Sequence, residues 1–567
     1  MILILLSYVF TLYILLGNGI IFSKWIRLEN YNLIYTFITG LFFQLITASF
    51  YAIFYPLDAY FFLINIILST LFITFNFSTV KKTIYKTTNT FFNFSKSSKI
   101  LFLSIIITSL LYSSSLPFLV DNETYYIQTI KWLNNYGLVK GLANLHLFLG
   151  QTSGWHILQS SFNFSFIASN FNDLNGLFII ITTYFCLEKW EIYKSKRNKN
   201  DLLIALITST LIFLFLFIAS PSPDLPIIII IPIIIHLFIE SFQNRKSDYL
   251  NLITVLTLLA ILIKVTVAPI LVLLLFVLVK TKDFKKWRFA IILSAISLFS
   301  FNIKNIIITG YPLYPLAIGN ELINVDWKLN FNLQQVSYQW GSMDAWQMSN
   351  WKEFLSLNPF NKFWIWLNLP GLDGLLNKII VVFMLVFPFF NFKKKEMRYL
   401  YIYFLIQCIA LYITSPQYRF FLPVLLSIGL IILAHLLHHR LLTIKILFAL
   451  NIVILITLGV FGLNFIGIMN NGIMSKKYPI TSSQLISPRA ITQFENLEFT
   501  KYQLQNLTYF SPSKDSVFFW QTSDGPLPCA NKKMIQYFST YYNHIPQMRT
   551  KNIKDGFLSS KPKNHKP

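Results

Sequence analysis

Asp121 and Glu123 are the residues of this chain best suited to chemistry, because two carboxylates stand one residue apart, directly after an apolar run that ends at Val120. Carboxylates at the mouth of a membrane helix are costly unless they face a polar cavity, so they indicate a functional site. One is suited to remove a proton from a hydroxyl group, and the other to hold a metal ion or orient a substrate. Asp121 is also a favoured type of helix N-cap, which would explain one acid but not two. We expect Asp121 to be the catalytic base, supported by Glu123.

Three cations complement these acids. Arg419 follows Tyr418 at the expected start of a helix, where the helix dipole disfavours positive charge, so an anionic partner would explain it. That partner is either an external carboxylate or a phosphate, to which a guanidinium makes planar, bidentate contacts. Lys264 and Lys304 lie in apolar segments near the same expected membrane face, where snorkelling is the alternative explanation. Together these residues predict a binding site for the phosphate of a lipid-linked substrate.

Asp224 lies in the sequence from Pro221 to Pro226, which predicts a turn at the end of one membrane helix and the start of the next. Its carboxylate could assist Asp121 by orienting a substrate or through a divalent ion. It is equally suited to be an N-cap, with prolines in the first turn of the following helix. Both interpretations stay open.

His146 and His156 lie in the same polar segment as the acids and could contact a substrate or a metal ion. Their spacing of ten residues matches no helical ligand pair, which favours a structural or solvent-facing role. Cysteines are far apart along the chain and form no metal-binding spacing or disulfide framework. A divalent cation, Mg²⁺ or Mn²⁺, is the one cofactor that the residue types leave open.

The elements that must position these residues are membrane helices. The chain is 55% hydrophobic and 12% charged, and its share of charge is about half that of a soluble domain. The net charge of +24 does not indicate nucleic acid, because the basic residues lie in short loops between apolar runs. The first apolar run, 1–20, lacks a basic start and a clear cleavage site, so we expect a retained span and not a secretory signal.

The apolar runs predict an all-α polytopic membrane protein with about fourteen spans, in a range of about 12 to 14. The sequence around Lys264 fits either two short spans or one long tilted helix. The predicted spans are 2–22, 31–55, 59–78, 100–117, 173–188, 202–220, 225–241, 250–263, 266–280, 289–309, 377–392, 399–414, 420–438 and 443–467.

Charge patterning sets the expected orientation. With two spans around Lys264, every basic loop falls on one side, which the positive-inside rule makes cytoplasmic. The other side then carries loops 118–172 and 310–376, and a tail over 468–567 that follows a membrane domain over 1–467. Loop 118–172 predicts two short amphipathic helices, 125–136 and 155–166, lying along the membrane interface, with Gly137 ending the first.

The arrangement resembles the GT-C glycosyltransferases: many spans, an Asp-x-Glu opening the first large external loop, amphipathic helices after it, and a late Arg at an external helix end. It is most similar to bacterial GT-C-like membrane proteins. Three spans precede the one leading into the acid loop where the superfamily often has one, and Lys304 stands where an Arg is expected. The matching segments are 121–123, 222–226, 309–315, 418–420 and 526–529.

The resemblance implies a glycosyltransferase of the bacterial inner membrane, with its catalytic face external or periplasmic. It would transfer a sugar from a polyprenyl-phosphate donor to a hydroxyl of a glycan or lipid acceptor, in assembly of the cell envelope. Asp121 would be the base, assisted by Glu123 or Asp224, and Arg419 with Lys264 or Lys304 would neutralise the leaving phosphate. An oligosaccharide polymerase or ligase, and a lipid or polysaccharide transporter or flippase, are the alternatives.

Overall fold

The computed structural model describes residues 1–28, 32–168, 173–243, 249–348, 350–390, 392–464, 476–513 and 518–560. Within these ranges the regular structure is nearly all α-helical, and three small antiparallel sheets of two strands each lie beyond the last long helix. Up to residue 281 the helices are α1 (Ile2–Trp25), α2 (Leu33–Tyr51), α3 (Ala59–Phe75), α4 (Phe77–Phe92), α5 (Lys96–Ser113), α6 (Ile127–Tyr136), α7 (Gly154–Ser161), α8 (Leu174–Lys196), α9 (Lys199–Ala205), α10 (Asp224–Gln243), α11 (Tyr249–Ile263) and α12 (Leu271–Thr281).

The second part of the chain continues with helices and ends in the strands. Its helices are α13 (Phe284–Thr309), α14 (Phe331–Asp344), α15 (Trp351–Ser356), α16 (Pro359–Leu367), α17 (Gly371–Val386), α18 (Lys395–Thr414), α19 (Tyr418–Leu436), α20 (Leu441–Phe461) and α21 (Lys532–Tyr542). The paired strands are β1 (Leu463–Asn464) with β2 (Lys476–Lys477), β3 (Phe499–Leu504) with β4 (Leu507–Pro512), and β5 (Ile545–Met548) with β6 (Phe557–Ser560).

Nine helices in the described ranges are long and apolar enough to cross a membrane, or ten if α3 and α4, bent by 91° against each other, count as one span. These apolar helices indicate a membrane-associated protein. The predicted fourteen or so membrane spans exceed the number of helices in the described ranges that are this long and apolar. The remaining predicted spans fall on the bent α3, on the more polar α8, on the short α11 and α12, and on a segment that breaks into 3₁₀ turns after α9.

Helix α10 is the centre of the bundle. It is rich in isoleucine, which has only a modest helix propensity. The apolar stretch of this helix is 94% buried. It packs against α9, α11 and α19, and burial of these side chains on all sides stabilises a helix that is apolar all round. The helix therefore holds its first residue, Asp224, at a fixed position at one end of the bundle.

The chain reverses direction at Lys264. Lys264 contacts Asp224 at the start of α10, whereas Lys280 Nζ donates to the carbonyl of Ser241 near the end of α10, at 2.8 Å. The segments before and after Lys264 are therefore two arms of a hairpin, as the two-span prediction required, and not one long helix.

Residues after α20 pack onto the segment between α5 and α8. Gln128 Nε2 donates to the carbonyl of Gly525 at 2.9 Å, and the amide of Phe557 donates to the carbonyl of Lys140 at 2.9 Å. The amino group of Met1 donates to the carbonyl of Gln484 at 2.5 Å. We call this end of the bundle, which carries residues 114–168 and the tail, the loop face; the end that carries the start of α5 is the opposite face.

Two helices were expected along the membrane interface, and the structure corrects this expectation for α7. All eight residues of α7 are buried, and Trp155 is fully enclosed, because α7 packs against α2 and α6. Helix α6 ends at Tyr136 and is followed by Gly137 with φ of 73°, as predicted. A Cβ at Gly137 would lie 2.4 Å from the carbonyl oxygen of Ala52, so the close approach of α2 also requires glycine.

Candidate functional site

An ion pair joins two distant parts of the chain at the loop face. Arg419 Nη1 donates to Asp121 Oδ2 at 2.5 Å, across 298 residues. The side chains are 30% and 23% exposed, respectively, so the pair remains in reach of solvent. Arg419 lies in the first turn of α19, where the helix dipole disfavours a cation, and Asp121 supplies the compensating anion. Of the two anionic partners expected for Arg419, the structure contains the carboxylate, and recognition of a phosphate remains a prediction.

A π-helical turn over Asn122–Tyr126 follows Asp121. Such turns are rare and occur frequently at functional sites. The turn brings the hydroxyl of Tyr126 to 3.4 Å from Asp121 Oδ2, to which it donates. Asp121 occupies the N-cap position but makes no side-chain capping bond, so the capping interpretation is wrong: its carboxylate contacts Arg419 and Tyr126 instead.

A second ion pair joins Asp224 and Lys264. Asp224 begins α10 and its side chain is 4% exposed, and Lys264 Nζ donates to its Oδ1. The amide of Asp224 is capped by Ser222 Oγ at 3.3 Å, so Asp224 is not the capping residue that one interpretation required. A buried carboxylate needs a compensating charge, and Lys264 provides it.

The aromatic ring of Phe420 lies against both cations. Its centroid is 3.9 Å from Lys264 Nζ and 5.2 Å from Arg419 Cζ, so the two cations are separated by no more than the sum of these distances. Arg419 also interacts electrostatically with Asp224, and Lys264 with Asp121. The predicted residues thus form one cluster of two carboxylates, Asp121 and Asp224, and two cations, Lys264 and Arg419.

Three further residues of this cluster were not among the predicted site residues. Phe420 contacts both cations, Tyr126 donates to Asp121, and Gln417 Oε1 accepts a hydrogen bond from Arg419 Nε at 2.9 Å. Gln417 and Phe420 flank the predicted Arg419, and this proximity was the available signal. The predicted Tyr418 is the first residue of α19 and is partly buried.

Glu123 faces away from this cluster and toward the tail. Its side chain is 0% exposed and accepts hydrogen bonds from Thr492 Oγ1 at 2.5 Å and from the amide of Gln493 at 3.0 Å. Its carbonyl accepts from the amides of Thr522 and Ser523. Burial raises the pKa of Glu123, while these hydrogen bonds oppose the rise. These hydrogen bonds connect Glu123 to the tail, and its catalytic role remains a prediction.

His146 lies outside the charge cluster. Its Nδ1 accepts from the amide of Phe148 at 3.3 Å, so Nε2 carries the proton and donates to the carbonyl of Trp520 at 3.2 Å. Burial lowers the pKa of His146 to about 4, which keeps the ring neutral. The imidazole connects the loop to the tail, and a contact of His146 with a substrate or metal ion remains a prediction.

His156 lies beside Tyr126, with ring centroids 4.8 Å apart. Its Nδ1 accepts from the amide of Ser153 in a capping box at the start of α7, and its Nε2 is buried with no partner among the described residues. Burial and the nearby charge of Lys304 lower the pKa of His156 to about 3. Lys304 is 6% exposed and donates to the carbonyl of Thr152, but in the described ranges it forms no ion pair.

No group of three or more His, Cys, Asp or Glu side chains is placed to bind a metal ion in the part of the chain that the structure describes. Asp121 and Asp224 are each already paired with a cation. A divalent ion at this site would have to displace Arg419 or Lys264 from its carboxylate, so the Mg²⁺ or Mn²⁺ of the prediction has no preformed set of ligands here.

The model of one family, Domain of unknown function (DUF8201), matches residues 1–426. No curated protein matches the chain, and no solved structure does. The matched range includes both ion pairs of the candidate site and ends inside α19, so the tail lies beyond it. Because this range covers more than half of the 567 residues, the chain belongs to the family Domain of unknown function (DUF8201).

Proposed function

We propose that this protein is an integral-membrane glycosyltransferase. It transfers a sugar from a polyprenyl-phosphate donor to a hydroxyl group of a glycan or lipid acceptor. The observation that carries the proposal is the convergence of Asp121, Asp224, Lys264 and Arg419 at one end of a helix bundle. Such a cluster contains both a proton acceptor and cations for a phosphate leaving group. The GT-C fold is part of the proposal and rests on the sequence resemblance.

Asp121 is the better base of the two acids. Its side chain is 23% exposed, compared with 4% for Asp224, so an acceptor hydroxyl has access to it. The hydrogen bond from Tyr126 fixes the orientation of the carboxylate. Asp224, buried and bound to Lys264, instead holds that cation close to Arg419.

Arg419 links donor binding to activation of the base. A donor phosphate competes with Asp121 for the guanidinium, which favours planar, bidentate contacts with phosphate. When the phosphate takes Arg419, the carboxylate of Asp121 is released and becomes available for the acceptor hydroxyl. The ion pair is therefore a resting arrangement that the substrate replaces.

The reaction is a single displacement. The acceptor hydroxyl gives its proton to Asp121 while its oxygen forms a bond to the anomeric carbon of the sugar. The bond from that carbon to the phosphate oxygen breaks, and its electron pair remains on the phosphate. Arg419 and Lys264 stabilise the negative charge that develops there, so no general acid is required. Displacement from the opposite side inverts the configuration of the anomeric carbon.

Lys304 and His156 supply further donors to the substrate. In the described ranges Lys304 has no carboxylate partner, and His156 Nε2–H has no acceptor. His156 is connected to the cluster through Tyr126, whose ring lies against the imidazole at an interplanar angle of 52° and whose hydroxyl donates to Asp121. We assign both to binding of the sugar or its phosphate.

The loop face is proposed to be the external face of a bacterial inner membrane, with a multi-pass topology. The basic loops of the sequence support this, since the positive-inside rule places them in the cytoplasm. The packing of the tail against residues 114–168, and of Met1 against the tail, is consistent with one polar layer on a single side. The donor lipid would enter from the outer leaflet.

A transporter or flippase is the second candidate, and broken helices favour it. The segment after α9 forms 3₁₀ turns over Leu206–Phe213 and Phe215–Phe217, and a further 3₁₀ turn, Val265–Ile270, follows Lys264. Broken helices near charged residues are typical of transporter binding sites. Transporter sites lie near the middle of the membrane, however, whereas both ion pairs here lie at the ends of helices.

The deciding experiment measures transfer of a labelled sugar from polyprenyl phosphate by the purified full chain in lipid nanodiscs. We expect transfer by the wild type and a loss of at least 100-fold in Asp121→Asn, since a general base contributes about 10² to 10⁴ in rate. Asp524→Asn is the matched control, because Asp524 forms an ion pair with Lys131. Undiminished transfer by Asp121→Asn would remove the proposed base.

Two further arms separate the alternatives. In proteoliposomes without acceptor, movement of labelled lipid between leaflets would favour the flippase. An oligosaccharide polymerase or ligase would use oligosaccharides linked to a lipid diphosphate and would not transfer single sugars from the monophosphate donor.

A further inference from the structure

A groove on the opposite face of the bundle lies between the end of α12 and the start of α13. It is open to the surroundings, has a volume of about 590 Å³ and is lined mainly by apolar side chains. Its lining residues are Val279, Lys282, Phe284, Trp287, Arg288, Ile291 and Ile292. Ile292, the lining residue of α13 nearest to Lys304, precedes it by twelve residues, about 18 Å along the helix at about 1.5 Å per residue, so the groove is separate from the candidate site.

The walls of the groove face the perimeter of the bundle. Phe284 is 83% exposed, Ile291 62% and Val279 60%. Side chains this apolar and this exposed on a membrane helix are suited to contact acyl chains. The indole of Trp287 donates to the carbonyl of Leu278 at 3.2 Å, which fixes its ring at one side of the groove.

Two of the residues that line the groove, Lys282 and Arg288, are cations. The turn from Lys280 to Arg288 contains five basic residues and one acid. The carboxylate of Asp283 accepts hydrogen bonds from backbone amides at the start of α13. In the described ranges neither Lys282 nor Arg288 forms an ion pair, so their charges have no protein carboxylate as partner.

We propose that this groove binds one anionic phospholipid of the surrounding leaflet. The phosphate of the headgroup contacts Lys282 and Arg288, and an acyl chain lies along Val279 and Ile291. Charge complementarity selects the occupant, since basic pockets between membrane helices bind anionic headgroups, and the apolar wall offers an acyl chain a contact that a free anion cannot make. The site is independent of the proposed glycosyl transfer.

The test is native mass spectrometry of the full chain released from nanodiscs that contain equal amounts of phosphatidylglycerol and phosphatidylcholine. We expect the wild type to retain phosphatidylglycerol preferentially. In Lys282→Gln/Arg288→Gln the preference falls by about 30-fold, which corresponds to about 1 kcal/mol for each basic residue. Ile291→Trp, at an exposed position, fills the groove without changing charge and reduces retention of both lipids.

The matched control is Lys393→Gln/Lys394→Gln. These lysines precede α18, are exposed, and do not line the groove, and the charge change is identical. An equal loss in this control would show a surface-potential effect and overturn the site. Equal retention of the two lipids by the wild type would overturn it as well, and so would a stronger preference for polyprenyl phosphate added as a third lipid.

Discussion

Asp121→Asn is predicted to tighten binding of polyprenyl phosphate while it slows sugar transfer. In the wild type, Asp121 and the donor phosphate compete for the guanidinium of Arg419. The asparagine has a similar shape but no charge, so it no longer competes. The same change removes the proton acceptor, which lowers kcat. A variant that binds the donor more tightly and reacts more slowly has lost an interaction that opposed donor binding.

The magnitude follows from the exposure of the pair. Two unit charges about 4 Å apart interact by about 4 kcal/mol at an effective dielectric constant of about 20, whereas exposed pairs contribute about 0 to 1 kcal/mol. Because the side chains of Arg419 and Asp121 are 30% and 23% exposed, we take about 1 to 2 kcal/mol for the competition. The dissociation constant for polyprenyl phosphate should therefore fall by about 5- to 30-fold, while kcat falls by about 10² to 10⁴.

The assay combines equilibrium binding of a fluorescent polyprenyl phosphate to the full chain in nanodiscs with steady-state transfer kinetics. Asp524→Asn, which removes the carboxylate partner of Lys131 on the same face, should change neither value appreciably. Unchanged or weaker binding of polyprenyl phosphate by Asp121→Asn would refute the exchange at Arg419. Parallel loss of binding and transfer would indicate instead that Asp121 holds the site together.

Four further predictions concern stability. Lys264→Met leaves the buried Asp224 unpaired and should lower the free energy of unfolding by about 3 to 5 kcal/mol, and adding Asp224→Asn should restore most of it in denaturant titrations. Because burial raises the pKa of Glu123, docking of the tail should weaken as pH rises from about 4.5; hydrogen exchange of the tail should show this, and Glu123→Gln should flatten it. The pKa of His156 is lowered from 6.5 to about 3, so its effect on stability has the opposite pH dependence. Thermal stability should fall as pH drops below 6.5, and it should fall less in His156→Gln, which can still cap α7. Gly137→Ala should lower the melting temperature, because its Cβ meets the carbonyl of Ala52.

Position along the chain predicted the members of the charge cluster but not their pairing. Asp121, Asp224 and Arg419 each stand where an apolar run meets polar residues, Lys264 lies within an apolar segment, and charge patterning predicted all four on one side. Which carboxylate pairs with which cation depends on how α10, α19 and the hairpin at Lys264 pack. This packing is not encoded in any short segment of the sequence. Both carboxylate partners were therefore visible only in the structure.

Glu123 illustrates the opposite case. Residues two apart on a helical turn do not face each other, so its separation from Asp121 follows from geometry and could have been predicted. Its hydrogen-bond partner Thr492 is 369 residues away, in a polar segment without periodicity, and no local pattern identifies it. Tyr126 reaches Asp121 only through a π-helical turn, which sequence propensities do not indicate.

The hydrogen bonds of Glu123 also have a consequence for the order of biosynthesis. Its backbone carbonyl accepts a hydrogen bond from Thr522, which lies 399 residues later in the chain. Synthesis of the intervening residues takes about 20 to 80 s at about 5 to 20 residues per second. Throughout that interval the segment after Asp121 lacks its final partners, while helices α6 to α20 are synthesised. An unfinished chain of the proposed enzyme therefore carries Glu123 but does not hold it in place until the tail has been synthesised.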